Sequence, residues 1–216
     1  MNIEKARFNM IEQQIRPWNV LDKAILDMLI VVKRENYFPQ DQKSLAFFDT
    51  ELPLPGTAVA MSPKMEARFV EELDVVKTDK VLLIGAASGY LAALLAHLTQ
   101  HVTVLEAVPA LKELAEHNLH ADGVRNVSVI LADGLSTQQS GKYDVIAIAG
   151  AIDAVPAHLR EQLQVGGRLL AVTGVLPMMH AQLTTRVSAT EFATRIVFDT
   201  VLPALSGSVP AAAFSF

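Results

Sequence analysis

Hydrophobic positions in this chain fall into two textures. From Val81 onward, short β-branched apolar runs recur at Val81–Ile84, Val102–Leu105, Val127–Leu131, Val145–Ala149 and Leu169–Val172. Each run is continuous rather than alternating, which predicts strands covered on both faces. Successive runs are far enough apart to hold one crossover helix each, the spacing of parallel neighbours. Helical periodicity fills the gaps at Gly89–Leu98, Ala110–His120 and Ala157–Leu163, the last with Pro156 at its first turn. After Gly174 the pattern alternates, in Ala181–Val187 and Phe192–Phe198, as expected of two antiparallel strands finishing the sheet. The prediction is an α/β fold with a doubly wound, mostly parallel, seven-stranded sheet.

Residues 1–60 read differently, with helical patterns at about Ile3–Ile15 and Val20–Lys33 broken by Pro17 and followed by a loop-rich stretch containing Pro39, Pro53 and Pro55. This predicts one domain made of a helical cap (1–60), a core (61–207) and a loose tail (208–216).

Composition narrows the chemistry. Hydrophobic residues make up 51% of the 216 and charged residues 19%, which excludes a disordered chain. A net charge of -5 without a basic block argues against a nucleic-acid partner. With no cysteine, disulfides, thiolate nucleophiles and Cys-ligated zinc are excluded. The N-terminal residues carry charges throughout, and no apolar run approaches the ~18 residues of a membrane helix, so a cytoplasmic protein is expected. Nothing in the sequence sets the oligomeric state.

In an open parallel sheet, ligands bind beyond the carboxyl ends of the strands. The first such loop puts Gly85, Ser88 and Gly89 where backbone amides at a helix start can face a polar ligand. The second strand ends in Glu106, positioned to grip ribose hydroxyls. The third gives Ala132-Asp133-Gly134 and the fourth Ala149-Gly150-Ala151-Ile152-Asp153. A dinucleotide fingerprint needs three glycines where this chain has Gly85, Ala87 and Tyr90, so a nicotinamide cofactor is disfavoured. The loops outline a nucleoside-shaped pocket. His117 and His120 share a helix face without a third ligand, Trp18 reads as a packing anchor for the cap, and Met178-Met179 as core or edge filler.

Several stretches together resemble the protein-L-isoaspartate O-methyltransferases, within the class I S-adenosylmethionine-dependent methyltransferases. They are NMIEQQIRPW (9–18), LPLPGTAVAMSPKMEA (52–67), IGAASGYLAALLA (84–96), Glu106, Ala132-Asp133-Gly134 and the run from Tyr143 to Gly174. The resemblance implies a Rossmann-like methyltransferase sheet with S-adenosyl-L-methionine as donor and S-adenosyl-L-homocysteine as product. It further implies a donor cradled by Gly85, Ala86, Ala87, Ser88, Gly89 and Tyr90, its ribose on Glu106 beside Ala107, its adenine near Asp133 and Gly134, and Ala149 on the pocket wall. The acceptor, an isoaspartyl carboxylate of a damaged protein, would lie under the loop before Pro63.

The chain departs from the family pattern at informative places. Met61 stands where the family has a serine close to the reacting groups, with Ser62 adjacent as its possible substitute. Leu83 replaces an acid two places before the first glycine, and Ala87 replaces the middle glycine; both changes are expected to weaken donor binding. Asp153 would put an acid at the pocket rim, repelling a carboxylate acceptor. Two alternatives therefore accompany the leading one: a non-catalytic binding module, and a methyltransferase for another acceptor.

Overall fold

A computed structural model describes residues 2–137 and 140–206, so the tail expected to be loose lies outside the described residues. Seven strands form the main sheet: β3 (Lys80–Ile84), β4 (His101–Glu106), β5 (Val127–Leu131), β6 (Tyr143–Ile152), β7 (Leu163–Val175), β8 (Met178–Arg186) and β9 (Phe192–Thr200). Their order is β5-β4-β3-β6-β7-β8-β9, parallel through β7 and antiparallel for β8 and β9. The chain runs outward from β3 to β5, then restarts at β6 on the other side of β3. A crevice is left between β3 and β6, where a doubly wound sheet binds ligands.

Period-two side-chain alternation divides the apolar runs between two cores. Val81 and Leu83 of β3 join Val145 and Ala147 of β6 on one face, while Leu82, Ile84, Ile146 and Ile148 fill the other. Helices α3 (Pro63–Leu73), α4 (Tyr90–Leu98) and α5 (Pro109–Ala121) contribute to the first core, and the short α6 (Ala157–Glu161) supplies Leu159 to the second. One run departs from expectation: β5 is an edge strand with Ile130 and Leu131 exposed, so its continuous apolar run is not covered on both faces. The last predicted helix also stops early, at Glu161, because Leu163 already opens β7.

The N-terminal region is helical but irregular. Asn2 caps α1 (Ile3–Asn9) by accepting from the Lys5 amide. The helix then widens into a π turn at Met10–Ile15, whose five-residue repeat turns Met10 and Ile15 inward together. Asp22 caps α2 (Lys23–Val31), which begins three residues later than the periodicity suggested because Asp22 halts the pattern at the cap. Two-residue strands β1 (Leu52–Pro53) and β2 (Val59–Ala60) pair before α3, an element the sequence reading did not resolve. Ion pairs bind this region to the rest. Arg34, fully buried, donates to Glu66 of α3 at 2.7 Å, to the Ala46 carbonyl at 2.8 Å and to the Met61 carbonyl at 2.7 Å. Arg7 pairs with Glu35 in the same interior.

Candidate active site

The β3–β6 crevice holds a cavity of about 390 Å3 lined by Gly85, Ala87, Glu106, Leu111, Ala149 and Gly150, with Val59 and Met61 from the cap side. Each wall has a local cause. After β3, the Gly85 amide donates to the Leu105 carbonyl, and the chain turns with Gly85 at φ +91°, Ala87 at +48° and Gly89 at +90°. Ala87 therefore keeps a left-handed conformation that costs a Cβ-bearing residue about 1–2 kcal/mol. The expected penalty of Ala87 appears as backbone strain, with the turn preserved.

Glu106, at the end of β4, is 1% exposed. Its carboxylate accepts from the Ala86 amide at 2.7 Å and from the Val108 amide at 2.9 Å, one bond to each oxygen. Each oxygen retains a lone pair for another donor. On the opposite wall, the pairing of β6 with β7 shifts register between Ala147 and Ala151, releasing Ala149 and Gly150 from the ladder toward the cavity.

The fourth wall is Leu202–Ser206, which the sequence reading did not assign to the site. Ala204 bridges Ala151 in parallel register, with the Ala151 amide donating to the Pro203 carbonyl at 2.8 Å and the Leu205 amide to the Ala151 carbonyl at 2.9 Å. Leu205 lies so close that a Cβ on Gly85 would stand 2.7 Å from its Cδ1, and one on Gly150 2.6 Å from its Cα. Two glycines facing one segment are the signal that could have revealed this wall.

Beside the cavity, sharing Leu202 with it, opens a cleft of about 680 Å3 lined by Trp18, Asp49, Glu51, Ser62, Lys64 and Thr200. Lys64 pairs with Asp49 at 2.7 Å and places its ammonium 4.0 Å above the Trp18 ring. Trp18 is 42% exposed, so it lines a cleft where packing of the cap was expected. Met61 and Ser62 thus stand on either side of one peptide, Met61 toward the inner cavity and Ser62 toward the outer cleft.

The remaining sequence candidates separate. Ser88 and Tyr90 are buried behind the loop, with the Ser88 Oγ unpartnered and the Tyr90 hydroxyl donating to the Val32 carbonyl. Burial pushes the Tyr90 phenol well above its ordinary range, as it does Tyr37 against which it packs. Ala86 donates to Glu106 without reaching the cavity, Ala107 is half-buried, and Gly89 packs on Ala115 of α5. Gly134 is required by packing, since a Cβ there would meet Ile84 at 2.7 Å. Asp133 is exposed and spends its carboxylate on the Leu135 amide and Ser136 hydroxyl, outside the lining residues. Asp153 is likewise exposed and lines neither space, so the expected repulsion at the rim has no geometric basis. His117 and His120 are exposed, and Met178 is 69% exposed at the β7–β8 turn rather than core.

Residues 5–200 match the family model of protein-L-isoaspartate(D-aspartate) O-methyltransferase. The chain belongs to this family. A protein-L-isoaspartate O-methyltransferase of Roseiflexus sp. (strain RS-1) is 34% identical over 174 residues, covering 80% of this chain and 78% of the relative. One from Geobacter metallireducens is 34% identical over 175 residues, covering 81% of each. Among solved structures, the fold is shared with a protein-L-isoaspartate O-methyltransferase from Plasmodium falciparum in complex with S-adenosyl-L-homocysteine. The TM-score is 0.79 at 18% identity, over 96% of this chain and 100% of that one. Against this family, the cavity falls at Gly85, Glu106 and Ala149, three of the positions carried over from its motifs.

Proposed function

We propose that this chain is an S-adenosyl-L-methionine-dependent methyltransferase that esterifies the carboxylate of isoaspartyl residues in damaged proteins, with the β3–β6 cavity as its donor site. The observation that carries this reading is the buried Glu106 carboxylate, fixed by two backbone amides at the cavity wall with lone pairs to spare for ribose hydroxyls. The walls suit such a donor, since Gly85, Ala87, Ala149 and Gly150 are small enough to admit a nucleoside against backbone. The bound donor supplies a methyl group on a sulfonium, whose transfer to a carboxylate oxygen gives a methyl ester and S-adenosyl-L-homocysteine.

The protein's own task is alignment and exclusion of water. Glu106 orients the donor, Leu202–Ser206 closes the cavity, and the Trp18–Lys64 cleft admits the acceptor past Met61 and Ser62. Met61 contributes no hydroxyl, so Ser62, buried at the start of α3 and making no capping hydrogen bond, is the nearest hydroxyl on that loop. Met61 also gives a second reading its support: a member that binds the donor but transfers poorly or to another carboxylate.

The test runs in two stages. Calorimetric titration with S-adenosyl-L-homocysteine is expected to give micromolar affinity, about -8 kcal/mol; no binding at millimolar ligand overturns the donor site. Labelled methyl should then pass to an isoaspartyl peptide as a base-labile ester. Binding without transfer to that peptide favours the second reading.

A further inference from the structure

One face of α5 touches every part of the site. Leu111 lines the cavity, Ala115 packs under Gly89, Asn118 lies one turn further, and Asp122 caps the helix. These positions follow the helical repeat, so a single rigid element spans from donor cavity to cap. Asp122 accepts from the Asn36 amide at 2.7 Å and from the Tyr37 hydroxyl at 3.0 Å. Asn118, 8% exposed, uses both hydrogens of Nδ2, one to the Tyr37 carbonyl at 3.1 Å and one to the Ser88 carbonyl at 2.9 Å.

We propose that Asn118 is a positioning residue for methyl transfer, tying the glycine loop to the cap through its two carbonyl bonds and holding the strained turn at Ala87 open to the donor. The chemistry requires this residue type. Only a neutral primary amide presents two hydrogens, in one plane, to two buried carbonyls at once, whereas an aspartate would set a carboxylate against them. The need is acute here because Ala87, unlike a glycine, gains by leaving the left-handed region, and Ser88 is the next residue. Loss of the bond to Ser88 lets the loop relax and leaves its carbonyl buried without a partner. Through the Tyr37 carbonyl, the same side chain makes the position of the cap depend on the position of the loop.

This inference rests on the donor site proposed above, and the experiment separates the two. Asn118→Ala and Tyr37→Phe are compared with the wild-type protein, the second removing a bond between the same helix end and the same cap segment without touching Ser88. Amide hydrogen exchange in the unliganded proteins should quicken selectively at Gly85–Tyr90 in Asn118→Ala and not in Tyr37→Phe. S-adenosyl-L-homocysteine should bind about tenfold more weakly to Asn118→Ala, the factor carried by one buried hydrogen bond, and unchanged to Tyr37→Phe. Unaltered loop exchange in a folded Asn118→Ala, or equal effects in both variants, overturns the proposal. If Asn118→Ala does not fold, the wild-type side-chain amide decides: protected Nδ2 protons in its NMR spectrum support the role and solvent-rate exchange overturns it. A wild-type protein that fails to bind S-adenosyl-L-homocysteine refutes the donor site, while loop exchange still decides whether Asn118 holds the turn.

Discussion

Around Gly85 the backbone survives a change of residue. Ala87 takes a conformation usually left to glycine, and Glu106 still gathers the amides of Ala86 and Val108. Around Met61 the backbone is held as firmly, with Arg34 donating to the Met61 carbonyl from a fully buried position. Yet there the function of the loop depends on which side chain it carries, and a thioether cannot donate a hydrogen bond. The donor side is specified by main-chain geometry and tolerates substitution at the cost of strain, whereas the acceptor side changes its chemistry while keeping its shape. A family member can therefore keep donor affinity while its acceptor preference drifts.

The largest way to disturb this contrast is Arg34→Ala. It strands Glu66, whose carboxyl burial already pushes upward, and releases the Ala46 and Met61 carbonyls; a loss of about 3–5 kcal/mol is expected in denaturant unfolding. Where the variant remains folded, acceptor turnover should fall far more than S-adenosyl-L-homocysteine affinity. An equal loss of both would merge the two sides into one unit. Glu106→Ala should act in the opposite sense, orphaning two backbone amides for about 3 kcal/mol and weakening S-adenosyl-L-homocysteine binding ~100-fold by calorimetry.

Gly150→Ala sharpens the comparison from the closing segment. Its new methyl would meet Leu205 main-chain atoms, so about 1–3 kcal/mol of destabilisation should accompany faster hydrogen exchange of the Leu205 amide. Ala87→Gly is the smallest change and the only stabilising one, worth about 1 kcal/mol or a few degrees in thermal melting, with the loop geometry unchanged. A melting temperature that falls would mean that the left-handed turn carries no strain.

Much of the sheet was legible because continuous apolar runs report two-sided burial whatever their neighbours. Val127–Leu131 misled on this point since a run records the tendency to be a strand without recording a place at the edge. The donor wall was legible for a similar reason: Gly85 and Glu106 sit at strand ends, where topology alone brings them together. Arg34, Asn118 and Leu205 were not. Each acts on partners distant in sequence, Glu66, Ser88 and Gly85 respectively, through contacts that no local periodicity encodes. Asp133 shows the converse error, a strand-end acid whose carboxylate the adjacent turn had already claimed.

The segment Leu202–Ser206 gives the site an order in time. A chain made from its N-terminus releases the cap, the glycine loop, Glu106 and the whole of β6 before these residues, and domains can begin to fold as they emerge. The cavity thus acquires its last wall after the other three are able to assemble. A nascent or nicked molecule lacking everything from Leu202 onward would present Gly85, Glu106 and Gly150 as an open trough, exchanging ligand freely but unable to keep water from it.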